Sequence, residues 1–252
     1  STEAHYTIRN SPIFHTDSDM EVFTDIGQHN THYKELEMNA INTVWNLSLN
    51  KPYRDGGHEH SGRIAQPGEE LYYDVDEQQT ATRVVSGSLN QENNGAHWTT
   101  TLALAWNDLQ ATAGGGSFEL ETPPKSLRIN LSRVEEKGNI NWTWQPQVKW
   151  DPVQRTFHGF VDMHLPDAWG YFVLDQDDWK DPLWPLKLSA HCIYYAQHAY
   201  KDTHGEFTED TSRLSLPDDI VAPFEVSISS QGDEFQAVVF CAVNELWATI
   251  RN

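Results

Sequence analysis

Residues 126–135, Ser-Leu-Arg-Ile-Asn-Leu-Ser-Arg-Val-Glu, constrain the fold more than any other stretch. Leu127, Ile129 and Leu131 alternate with Arg128, Asn130 and Ser132. That period of two predicts a β-strand with an apolar, buried face and a wet face of flat hydrogen-bonding groups. Four tryptophans, Trp142, Trp144, Trp150 and Trp169, follow close behind. A cleft made from these parts suits a neutral polyol better than a phosphate or a nucleic acid.

The rest of the chain supplies more strands. Residues 20–25 (Met-Glu-Val-Phe-Thr-Asp) read as one, and 26–32, with Gly27 and Asn30, as a turn. From 33 to 45 the pattern predicts one further strand, Leu36, Met38 and Ala40 facing one way and Glu35, Glu37 and Asn39 the other. Residues 51–60 read as a loop ending in His58-Glu59-His60, and 61–80 as exposed, acidic chain. Strands follow at 82–89 and 97–106, with a turn at 91–95 between them. A short helical turn at 107–113 is stopped by Gly114-Gly115-Gly116. Short strands separated by turn clusters predict an all-β fold, an antiparallel sandwich of jelly-roll type, over 1–180. Residues 181–252 read differently. Leu188, Cys192, Tyr195 and Ala199 fall at helical spacing, Gly205 ends the helix, and 224–229 and 235–241 form a hairpin. This predicts a small α+β appendage.

A net charge of −20 repels phosphate backbones and anionic lipid, which excludes nucleic acid as a partner. No apolar run approaches the roughly 18 residues of a membrane span, and no leader precedes the polar start. Two cysteines, Cys192 and Cys241, permit one bridge or two thiols, so the redox compartment stays open. Sequons at Asn46, Asn130 and Asn141 are weak pointers to the secretory pathway.

The polar sides of three strands carry Glu21, then Glu37 and Asn39, then Arg128 and Asn130. In one sheet they make a floor of carboxylate, amide and guanidinium groups, to which sugar hydroxyls donate and from which they accept. The runs Asp-Met-Glu-Val-Phe-Thr-Asp (19–25), Tyr-Lys-Glu-Leu-Glu-Met-Asn-Ala-Ile-Asn-Thr-Val-Trp (33–45), Lys-Pro-Tyr-Arg-Asp-Gly-Gly (51–57), Arg-Ile-Asn-Leu-Ser-Arg-Val-Glu (128–135), Trp-Thr-Trp-Gln-Pro (142–146) and Met-His-Leu-Pro-Asp-Ala-Trp-Gly (163–170) resemble the carbohydrate-binding module family 9-like group, in collinear order over about 10–175. The appendage resembles the tail that follows this module in larger members. The resemblance implies a β-sandwich that clamps a terminal sugar between two tryptophans, with polar strand residues on the hydroxyls. It implies an extracellular or secretory setting beside a polysaccharide.

Carried over by motif, the family's glutamate falls on Glu21, its arginine position holds Glu37 and its glutamine position holds Asn130. The clamp tryptophans fall at His15 and near Met163 or His164, so Trp45, Trp144 and Trp169 become the candidate replacements. Strands that usually precede the point matching Ser1 have no counterpart, so a protein partner or another segment is expected to complete the sheet. Asp17, Asp19 and Asp25 are the candidate ligands of a structural calcium. His58 and His60 share a strand face, but no third ligand is identifiable. There is no Gly-x-Ser-x-Gly elbow, phosphate loop or dinucleotide glycine pattern. The expected function is non-catalytic carbohydrate binding; the alternatives are an interaction protein without the sugar site, or a glycoside hydrolase.

Overall fold

The computed structural model describes residues 1–91, 96–121, 123–135, 138–174 and 178–252; the turn expected at 91–95 lies almost wholly outside them. In chain order the strands are β1 (Asp19–Asp25), β2 (Tyr33–Asn39), β3 (Val44–Leu49), β4 (Glu59–Ser61), β5 (Gln79–Ser86), β6 (His97–Ala103), β7 (Ser126–Glu135), β8 (Ile140–Thr143), β9 (Gln147–Asp151), β10 (Thr156–Phe160), β11 (Gly170–Val173), β12 (Glu225–Gln231), β13 (Glu234–Cys241) and β14 (Leu246–Arg251). The helices are α1 (Trp106–Gln110), α2 (Trp184–His204) and α3 (Asp218–Val221). Every strand pairing is antiparallel, and the fold is mostly β, sandwich-like, with a helix-bearing C-terminal part.

Two compact units divide the chain: Ser1–Pro146 with Val161–Asp175, and Gln147–Phe160 with Gln176–Asn252. In the first, the sheet runs β11–β7–β1–β2–β3–β4, with β8 also on β7. Its apolar face sets Met20, Val22, Leu36, Met38, Val44, Ile129 and Leu131 against Tyr73, Val75, Leu102 and Leu104. Residues 61–80, expected to be exposed, thus contribute two core plugs, with Tyr73 and Val75 almost wholly buried. The single strand expected over 33–45 is a hairpin. Asn39 Oδ1 accepts from the Ile41 and Thr43 amides, and Asn42 takes a left-handed φ of 68°. An asparagine that satisfies turn amides and a second one that tolerates positive φ reverse the chain where the alternation alone reads straight through.

In the second unit α2 lies on the sheet β12–β13–β14, and Ile193, Ala196, Tyr200, Phe235, Ala237 and Val239 form its core. Gly205 ends α2 in the left-handed conformation, its amide donating to Lys201 O. Trp150 of the β9–β10 hairpin is buried in this core and donates Nε1 to Ser215 O at 2.8 Å. The hairpin 147–160, read from sequence as part of the sandwich, therefore packs with the tail. Cys192 and Cys241 are free thiols, and burial pushes Cys192 up to about 12. No helix among the described residues is long and apolar enough to cross a membrane.

Candidate functional site

β1 and β2 form a hairpin whose register sets Asp19 opposite Asn39, Glu21 opposite Glu37 and Phe23 opposite Glu35. On the other side β7 sets Ser132 opposite Glu21, Asn130 opposite Phe23 and Arg128 opposite Asp25. β3 brings Trp45 opposite Glu37. Because side chains alternate across a sheet, all these residues share one face. The side chains of Glu21, Glu37, Asn39, Arg128 and Asn130 thus come together as the sequence alternation implies. Their solvation differs from expectation: Glu21, Asn39 and Asn130 have no exposed surface, and Glu37 and Arg128 are 2 % exposed. The face expected to be wet is roofed.

The roof is built by the polar residues themselves. Asn39 Nδ2 donates to Tyr6 O and to Asp17 Oδ2, and Asp17 accepts from the His5 and Tyr6 amides. That fixes the segment 5–17 over one end. Arg128 donates to the carbonyls of Pro166, Asp167 and Trp169 at 2.7–2.8 Å, holding the turn 166–169 over the other end. Asn130 accepts from Thr143 Oγ1 and the Gln145 amide. Three of the five floor residues are therefore committed to chain contacts.

Glu21 and Glu37 are placed differently. Both Glu21 oxygens, both Asp19 oxygens and Glu37 Oε2 are buried with no hydrogen-bond partner. One ligand atom from each of Asp19, Glu21 and Glu37 lies within 4.8 Å of the others. Burial, aided by the mutual repulsion of the group, holds the Asp19 and Glu37 carboxyls well above the usual range, and burial raises Glu21 to about 7. Ser132 sits beside Glu21 and eases its charge, but its hydroxyl stands outside good hydrogen-bond geometry. Arg133 moderates Asp19 from a distance.

The calcium set expected from sequence is not assembled. Asp17 spends both oxygens on the roof segment, and Asp25, at the far end of β1, accepts from the Asn30 amide. Asp19 alone joins the acidic group, with Glu21 and Glu37 in place of the other two. Proximity along the chain suggests the first set, whereas cross-strand register makes the second. That register was available in the sequence, since a hairpin centred on His29 puts residue 21 opposite 37.

Beside the carboxylates lies an aromatic rim. His164 Nδ1 meets Tyr33 OH at 3.1 Å, and the Tyr53 ring stands 4.5 Å from His164. Burial lowers His164 to about 4 and raises Glu35, so their 3.7 Å approach has the geometry of an ion pair without the charges. Tyr53 is 45 % exposed, and Arg63 lies over the Trp45 ring. Of the tryptophans expected to stack on a ligand, Trp169 is core: it packs on Phe23 and Tyr33 and donates Nε1 to Met163 O. Trp144 is exposed and lies over Gly170. Trp45 is on the floor, buried, with its Nε1 unpartnered.

The remaining motifs find structural places. The His58 and His60 rings are 4.6 Å apart, and among the described residues no third metal ligand joins them at ligand distance. Sequon residues Asn46 and Asn130 are buried, whereas Asn141 is exposed. No family model, curated protein or solved structure matches the chain.

Proposed function

We propose that the first unit is a non-catalytic carbohydrate-binding module, its ligand held over the Glu21–Glu37–Trp45 part of the sheet. One observation carries this reading: two directly paired residues each keep a buried polar atom without a partner, an acceptor on Glu37 (Oε2) and a donor on Trp45 (Nε1). A buried polar atom without a partner costs about 1–3 kcal/mol. A sugar hydroxyl both donates and accepts, so a polyol offers a partner to each kind of atom. Tyr53 and His164 offer an aromatic edge to a sugar ring. The resemblance to carbohydrate-binding module family 9-like domains agrees with this, with Glu21 in the matching position.

The test is a glycan array followed by calorimetry with any sugar that scores, using the full chain. Binding in the micromolar to millimolar range is expected, with Glu37→Gln and Trp45→Phe each weakening it about tenfold, or ~1.4 kcal/mol. Silence across xylans, glucans and monosaccharides at millimolar concentration refutes the reading.

A second reading is an interaction protein that keeps the sheet and not the sugar. What favours it is that Asn39, Arg128 and Asn130 are spent on the roof. It predicts a stoichiometric protein partner in native pull-downs together with an empty array.

A further inference from the structure

We infer that Asp19, Glu21 and Glu37 form a binding site for a hard divalent cation. Proximity of three acids is common on a protein surface and means little there. Here the group is inside, with Asp19 and Glu21 wholly buried and Glu37 2 % exposed. Five of its carboxylate oxygens lie buried with no backbone amide or cationic side chain in hydrogen-bond geometry, Asp19 and Glu37 meeting only carboxyl to carboxyl and Ser132 standing beside Glu21. Buried carboxylates in a folded protein are ordinarily paired with a cationic side chain, capped by amides, or bound to metal. The neighbouring acids Asp17, Asp25 and Asp74 show the ordinary solutions, with amide donors on the first two and Arg9, Asn10 and Asn46 on the third. The triad has neither.

The chemistry of the donor set narrows the ion. Oxygen donors alone suit calcium, magnesium or manganese rather than zinc or copper, which favour nitrogen and sulfur. Ligand atoms within 4.8 Å of one another span what a single ion with bonds of about 2.1–2.6 Å can bridge. Asp19 and Glu21 project from alternate positions of one strand and Glu37 from its paired neighbour. The backbone ladder thus pre-positions all three, and no loop must be ordered when the ion arrives. The remaining coordination positions fall to water or to hydroxyls of a second ligand, with the Ser132 hydroxyl adjacent to Glu21.

This inference does not depend on the sugar reading, because its readout needs no sugar. The full chain is stripped with chelator and titrated calorimetrically with calcium, magnesium, manganese and zinc at pH 7.5. Saturable one-to-one binding of at least one of calcium, magnesium and manganese is expected, with zinc as the comparison ion. Glu21→Gln and Glu37→Gln should each weaken it at least tenfold, and Asp202→Asn on the exposed side of α2 should leave it unchanged. Gln keeps the shape of Glu and removes a buried charge, so both variants are expected to fold. Hydrogen exchange of peptides within 19–39 gives a second readout, with protection rising on calcium addition in the wild type and not in the variants. No saturable binding of any hard cation, or binding that survives both substitutions, overturns the inference.

Discussion

Replacing Glu21 by Gln in the metal-free protein should raise stability at high pH and leave it little changed at low pH. Glu21 has no exposed surface, and burial raises it from the ordinary 4.5 to about 7. Between these values the folded protein holds a proton that the unfolded chain has released. Stability therefore falls as pH rises from about 4.5 to about 7, and the full cost stands above 7. At about 1.4 kcal/mol per pH unit, the interval corresponds to about 3 kcal/mol. Glutamine is uncharged throughout, so at pH 8 with chelator the variant should be more stable by about 3 kcal/mol, shrinking toward zero at pH 4.5. Asp19 and Glu37 repel the same charge, so relief of that repulsion adds in the same direction. The assay is hydrogen exchange of peptides spanning 19–39 at both pH values, which isolates this hairpin from the second unit. Equal stability of variant and wild type at pH 8, or a gain that persists undiminished at pH 4.5, would show that no uncompensated charge sits at Glu21.

Three further outcomes follow from other contacts. His164, lowered to about 4 by burial, should remain neutral at pH 5.5 when its ring shifts are followed by NMR, and its share of stability should be lost only as pH falls from 6.5 through 4; titration near 6.5 would contradict the packing on Tyr33 and Tyr53. A Cβ at Gly57 would sit 1.8 Å from Lys51 O, so Gly57→Ala must push the 51–57 loop apart, at a cost of about 2 kcal/mol or more in thermal melts. Gln197, wholly buried, donates to Thr208 O and accepts from the Thr208 amide, so Gln197→Leu strands two backbone groups and should cost the second unit about 2–4 kcal/mol in denaturant unfolding.

Much of the strand and helix inventory is legible in the sequence because its periods are long. β1, β7, α2 and the β12–β13 hairpin each run at least seven residues with a single clear repeat. Errors arise where one side chain overrides the repeat. The Asn39 turn splits an apparent strand, and Tyr73 and Val75 insert into the core from a stretch too acidic to look buried. The polar floor was legible as a face but not as an interior. On β7 the hydrogen-bonding side is more buried than the apolar side, Asn130 and Ser132 lying deeper than Ile129 and Leu131. Amphipathic alternation assigns polar residues to water, and nothing in a period of two reveals that chain from 5–17 and 166–169 will be tied down over them. Likewise, adjacency in sequence points to Asp17, Asp19 and Asp25 as ligands, whereas pairing across β1 and β2 is the stronger guide.

The interleaving of the two units shapes how the chain can be made. The β9–β10 hairpin leaves the ribosome before any residue of α2, β12 or β13, so Trp150 must wait in water for the side chains that will enclose it. Domains usually fold as they emerge. This one cannot, and a fragment ending near residue 180 would carry a stranded indole for its whole life. Such a fragment is expected to call on chaperones or precipitate, and removing the hairpin along with the tail should rescue it.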